Sequence, residues 1–76
     1  LERVMVGNYG DYKSVGGGIW ELRIHYGPGY RLYFSEYENV VVLILIGGIK
    51  ATQKRDISKA KEYWQDFKER IHEKQN

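Results

Sequence analysis

The sequence predicts an α+β fold in which an antiparallel sheet of three or more strands is followed by a C-terminal helix. Two runs of alternating apolar and polar residues flank the turn signal Gly27-Pro28-Gly29, and a third, wholly apolar run covers residues 40–46. Alternation with a period of two is typical of strands. After residue 52, apolar residues recur at spacings of three and four, which is typical of an amphipathic helix.

The N-terminal residues predict the end of a helix and then a turn. Residues 1–6 are expected to be the end of a helix, because Gly7 and Asn8, which follow, both tolerate the positive φ that ends a helix. Residues 7–11 then predict a turn, and the three glycines at 16–18 predict a second flexible stop.

A β-hairpin over residues 19–35 is the firmest prediction. A three-residue turn would pair His25 with Arg31 and Arg23 with Tyr33. This register puts the apolar residues on one face and these four side chains on the other, whereas a slip of one residue would mix the two sets. We therefore expect an open face that carries Arg23, His25, Arg31 and Tyr33.

The third strand is expected inside the sheet. Residues 40–46 are apolar at every position, which predicts burial on both faces. Glu38-Asn39 predicts the turn before this strand, and Gly47-Gly48 predicts its end.

The helix is predicted from one apolar stripe, with either Thr52 or Asp56 as its N-cap. Charged residues of both signs occupy the remaining positions, which is typical of a solvated face. The stripe consists of Ile57, Ala60, Trp64, Phe67 and Ile71.

Composition sets limits on function. A chain of 76 residues makes one domain, residues 1–76, that buries only about 60% of its unfolded surface. Cysteine is absent, and His25 and His72 do not show metal-ligand spacing, so we expect no metal and no cofactor. The net charge of +2 means that affinity for nucleic acid would need locally placed cations. We expect a cytoplasmic protein without membrane contact, because there is no secretory pattern and the longest apolar run cannot span a bilayer.

Three stretches together resemble one family. They read GNYGDYKSVG at residues 7–16, ELRIHYGPGYRLY at 21–33, and GGIKATQ at 47–53 with Asp56-Ile57. In these stretches the chain resembles the RelE/HigB-like toxins, in particular the phage-derived Gp49-like "addiction module killer" proteins of type II toxin–antitoxin systems. The hairpin with its ELR and GPGYR segments is the most specific part of the resemblance.

The resemblance implies an N-terminal helical pair, an antiparallel sheet and a short C-terminal helix. It also implies an mRNA-cleaving toxin that commonly acts on the ribosome and is neutralised by an antitoxin, often a HigA-like helix-turn-helix protein. Residues 1–6 leave room for little of the helical pair, so we expect an N-terminally truncated toxin domain. Ile49 stands where the family usually has an acidic residue.

RNA cleavage without a metal uses the ribose 2′-OH as nucleophile, a base that takes its proton, cations that hold the charged phosphorane, and an acid for the leaving oxygen. Arg23 and Arg31 are the best candidates for the cations, because the planar guanidinium pairs with phosphate oxygens. The alternative is a pair of solvated cross-strand charges, or salt bridges to Glu21.

Other residues complete the predicted site. Lys50 matches the family's GG-x-K position and is a candidate for phosphate binding or for the base, and Lys13 is a weaker candidate for substrate binding. His25 is a candidate base or acid, since imidazole titrates near neutral pH. Tyr33 is a candidate for stacking on a nucleobase or for donating a proton. Gln53 is a candidate for substrate binding, although it could instead cap the helix.

Two other functions remain open at this stage. The chain could be a binding module that inhibits a target such as gyrase, as ParE-like relatives on this fold do. It could also be an inactive toxin remnant that binds a partner.

Overall fold

A four-stranded antiparallel sheet followed by one long helix makes up the computed structural model, which describes residues 12–74. The spatial order of the strands is their order in the chain. The predicted α+β class is therefore confirmed, while the predicted helix end at residues 1–6 and the turn at 7–11 lie outside the described residues. The elements are β1 (Tyr12–Gly16), β2 (Ile19–Ile24), β3 (Tyr30–Tyr37), β4 (Val40–Gly47), a 3-10 turn (Lys50–Thr52) and α1 (Gln53–Lys74).

Strand β1 was not among the predicted strands. It pairs with β2, and its register shifts between Ser14 and Gly16. Its five residues lie at the edge of the sheet, and none of them is fully buried, so the sequence there lacks a clear apolar alternation.

The predicted hairpin register is wrong by two residues. Arg23 pairs with Arg31, so His25 has no partner in the β2–β3 ladder. The cause is the length of the loop: β2 ends at Ile24, and the backbone N–H of Gly29 donates to the carbonyl of Tyr26 at 2.9 Å. A shift of two residues preserves the faces of both strands, so Arg23, Arg31 and Tyr33 still share one face.

Among residues 12–74, strand β4 lies at the edge of the sheet and packs on the core with one face only, which corrects the prediction of a central strand. A bulge leaves Ile44 without a partner in β3 and turns both Ile44 and Leu45 towards the core. Its exposed residues are Val40, Val41, Leu43 and Ile46.

Helix α1 covers much of the face that the sequence predicted to be open. Its Ala60 and Trp64 pack against Ile19 and Tyr33 in the buried core. Phe67 extends this packing, stacking on Trp64 with ring centroids 5.3 Å apart. The predicted helical stripe is thus confirmed, but it packs on the face that also carries the two arginines, and only the end of that face stays accessible.

The chain between β4 and α1 is short and closely packed. Thr52 directly precedes α1, and its hydroxyl donates to Asp56 Oδ2 at 2.8 Å. Thr52 is the last residue of the 3-10 turn that runs directly into α1, and Asp56 lies in the first turn of the helix. Gly47 is the closest point of approach, because a β-carbon there would lie 2.8 Å from Asp56 Oδ2 and 3.0 Å from Tyr33 Cε2.

The close approach at Gly47 predicts that Gly47→Ala lowers the free energy of unfolding by about 1–3 kcal/mol, since the added methyl overpacks the core. Gly48→Ala is the matched control, because nothing lies within 4 Å of a β-carbon at that position. The control should change stability by less than about 1 kcal/mol. Urea unfolding measures both, and equal midpoints for the two variants would contradict this packing.

Candidate functional site

A cleft of about 270 Å³ opens where the β2–β3 hairpin meets the chain leaving β4. We call it the hairpin cleft. Residues 23–25 and 28–31 line one side, and residues 48–50 line the other. Its cationic lining residues are Arg23, His25 (when protonated), Arg31 and Lys50, and no carboxylate lines it within the part of the chain that the structure describes. Such a lining can hold an anion.

Arg23 and Arg31 stand directly opposite each other on β2 and β3. Like charges at opposed positions repel each other, so this pair needs compensation. Glu21 and Gly48 compensate the charge of Arg31. The Arg31 Nε lies 3.8 Å from Glu21 Oε2, and the Arg31 Nη1 donates to the Gly48 carbonyl at 3.4 Å. The Arg31 side chain is only 14% exposed. Arg23 also has interactions within the chain. The two side chains are therefore held at the end of the sheet and do not project freely from an open ribbon.

Glu21 is a buried carboxylate beneath the hairpin cleft, with 1% of its surface exposed. Its Oε2 accepts hydrogen bonds from the Tyr33 hydroxyl at 2.8 Å and from Gln53 Nε2 at 2.9 Å. Lys13 Nζ lies 4.0 Å from its Oε1. Glu21 therefore joins β1, β3 and the start of α1.

Two buried atoms of this cluster have no hydrogen-bond partner among the described residues: Glu21 Oε1 and Arg31 Nε. An unpaired buried polar atom is costly, more so when it belongs to a charged group. The attraction between the Glu21 carboxylate and the Arg31 guanidinium offsets part of that cost.

Tyr33 is fully buried and does not line the hairpin cleft, which corrects its predicted place on an accessible surface. Burial, the hydrogen bond to Glu21 and the nearby charges of Glu21 and Asp56 raise the pKa of Tyr33 far above its ordinary value of 10. Its hydroxyl donates to Glu21 and serves the structure, because Ala60 and Trp64 cover the ring.

The remaining predicted residues divide into two groups. His25 and Lys50 are exposed and line the hairpin cleft together with the arginines. Lys13 and Gln53 do not line it and instead surround Glu21 from two sides. The structure therefore brings together four of the five predicted catalytic residues, and it places both predicted substrate-binding residues beside Glu21.

Sequence reasoning gave Glu21 no role except as a possible salt-bridge partner. Its position between Trp20 and Leu22 in an alternating strand makes it look solvated, and only the packing of α1 on its face buries it. The one available signal was its place in the ELR segment, beside Arg23 and within the most specific part of the family resemblance.

Comparison with curated proteins finds an uncharacterized protein of Haemophilus influenzae that is 51% identical over 61 residues. The match covers 80% of this chain and 62% of the relative, so the chain spans a little over three fifths of that protein's length. No protein-family model matches the chain, and no solved structure matches it. The name of the relative assigns no activity.

The described residues contain neither a cluster of metal ligands nor a membrane-spanning helix. Nowhere in residues 12–74 do three or more His, Asp or Glu side chains cluster as metal ligands. Helix α1 is too polar to cross a membrane.

The environment of Tyr33 predicts an alkaline titration. Because the folded state binds the Tyr33 proton more tightly, this contribution to stability is complete below pH 10 and is lost as the pH rises above it. We expect an ultraviolet titration to show a tyrosine fraction that ionises only as the fold is lost, and Tyr33→Phe to remove it. Tyr26→Phe, which removes a tyrosine that is 77% exposed, should leave that fraction in place. If Tyr33→Phe still showed a tyrosine fraction that ionises only on unfolding, that fraction could not be assigned to Tyr33.

Proposed function

We propose that this chain is the toxin of a type II toxin–antitoxin pair, a metal-independent endoribonuclease that cleaves mRNA. The observation that carries the proposal is the hairpin cleft, in which Arg23, Arg31, His25 and Lys50 converge with no carboxylate among the described lining residues. The resemblance of the ELR and GPGYR segments to RelE/HigB-like toxins supports the same class, since both arginines lie within those segments.

The chemistry is a transesterification that needs no co-reactant. The ribose 2′-oxygen bonds to phosphorus while its proton passes to a base, and the bond from phosphorus to the 5′-oxygen breaks as that oxygen receives a proton. The products end in a 2′,3′-cyclic phosphate and a 5′-hydroxyl.

The lining residues divide these tasks. Arg23 and Arg31 stabilise the charge on the phosphorane, because their opposed positions place two guanidinium groups at the same end of the sheet. His25 and Lys50 provide the proton acceptor and donor, since both are exposed side chains at the cleft. Tyr33 has no part in this step, because it is buried.

The proposal includes partners. An mRNA substrate, free or on the ribosome, would contact the hairpin cleft, and a helix-turn-helix antitoxin would neutralise the toxin in the cytoplasm. The apolar edge strand β4 is the surface that favours a protein partner, because Val41, Leu43 and Ile46 are 45%, 53% and 60% exposed there. Unpaired edge strands with apolar side chains are ready sites for association.

The arginine pair gives the functional prediction. Arg23→Gln and Arg31→Lys should each slow RNA cleavage about 100-fold or more, which is the usual cost of losing one donor to a developing oxyanion. Lysine keeps the charge near Glu21 but lacks the planar fork, so the second variant tests geometry in a folded protein. Cleavage of a synthetic RNA by the full chain, with identification of the product ends, measures the effect.

Arg70→Gln is the control, because Arg70 is 74% exposed and pairs with Asp66 on the surface of α1. Its activity should equal that of the wild type. Wild-type rates in both cleft variants would remove the hairpin cleft from the mechanism. Intact RNA together with inhibited gyrase supercoiling would favour the ParE-like alternative and overturn the proposal.

A further inference from the structure

We infer that Glu21 is a positioning residue, whose buried negative charge holds the Arg31 guanidinium in the orientation that cleavage requires; this inference rests on the proposed function. Glu21 does not line the hairpin cleft, so any effect on RNA passes through Arg31.

The two hydrogen bonds that Glu21 accepts do not explain why a charged side chain occupies this buried position. Tyr33 and Gln53 both donate to Oε2, and the amide oxygen of a glutamine also has lone pairs for two such donors. A buried carboxylate is far more costly than a buried amide unless a cation compensates it. The negative charge is therefore useful only toward a cation.

Arg31 is the cation that fits. Its side chain is 14% exposed and lies 3.8 Å from Glu21, whereas Lys13 is 62% exposed and lies 4.0 Å away. Solvent weakens an interaction with an exposed lysine far more than one with a buried arginine. The interaction of Glu21 with Arg31 is thus the stronger of the two.

The position of Arg31 is otherwise weakly determined. Apart from its contact with Glu21, Arg31 donates to the Gly48 carbonyl at a long 3.4 Å, and Arg23 repels it from the opposed position on β2. Without the carboxylate, the guanidinium would lose its main attraction toward the sheet and would turn outward into the hairpin cleft. The displaced guanidinium would still attract RNA, but it would no longer be positioned to stabilise the phosphorane.

Glu21→Gln therefore has opposite effects on binding and on turnover. Removing a negative charge beneath a cationic cleft should tighten the binding of a non-cleavable RNA carrying a 2′-deoxyribose at the scission site. The same change should lower kcat for the cleavable RNA by 10-fold or more. A purely structural defect cannot tighten binding, because it only reduces the fraction of active protein.

Ser35→Ala is the matched control for loss of a buried hydrogen bond. The Ser35 hydroxyl donates to the Gly18 carbonyl at 2.6 Å, at the other end of the sheet from the hairpin cleft. We expect this variant to retain the wild-type kcat. A kcat for Glu21→Gln equal to that of Ser35→Ala would overturn the inference, as would weaker RNA binding with unchanged kcat.

A measurement on the wild-type chain keeps the inference testable if Glu21→Gln does not fold. The Arg31 Nε–H should exchange slowly with solvent by nuclear magnetic resonance, whereas that of the exposed Arg70 should exchange fast. Equal, fast exchange at both arginines would show that the Arg31 guanidinium is not kept buried beside Glu21, and would overturn the inference. A wild-type chain that leaves RNA intact would instead remove the proposed function, and the exchange result would still report on the contact.

Discussion

The buried carboxylate of Glu21 is the contact on which the functional end of this molecule depends. It accepts hydrogen bonds from Tyr33 on β3 and from Gln53 at the start of α1, and it attracts Arg31. Because one side chain makes all three contacts, the start of the helix and the arginine are fixed relative to the same strand. The position of Arg31 in the hairpin cleft thus depends on Glu21, which does not line the cleft.

The second constraint is the packing of α1 on the face of the sheet that carries the arginines. Ala60 and Trp64 cover Ile19 and Tyr33, so that face is closed over most of its length. Arg23 and Arg31 remain accessible only because they lie beyond the start of the helix, where residues 48–50 cross the end of the sheet. The packed core and the hairpin cleft therefore share one face of the sheet, and Glu21 lies at the boundary between them.

Much of the fold follows from local patterns in the sequence. Alternation predicted β2 and β3, the turn signal at Gly27-Pro28-Gly29 placed their connection, and the spacing of Ala60 and Trp64 predicted the buried stripe of α1. Long-range packing decided the rest: the loop length that sets the hairpin register, the edge position of β4, and the burial of Glu21. Strand alternation predicted a shared face for Arg23, His25 and Arg31, and the family resemblance added Lys50, which lines the same cleft. The supporting role of Gln53 was not predictable, because it depends on where the helix docks.

A double-mutant cycle between Glu21 and Arg31 tests the central interaction most directly. The free energies of unfolding of Glu21→Gln, Arg31→Met and the double variant give the coupling between the two side chains. Removing one partner of a buried ion pair leaves the other charge uncompensated, so each single variant should be destabilised and the double variant should recover part of the loss. The account predicts a coupling of about 1 kcal/mol or more; additivity within about 0.3–0.5 kcal/mol would contradict it.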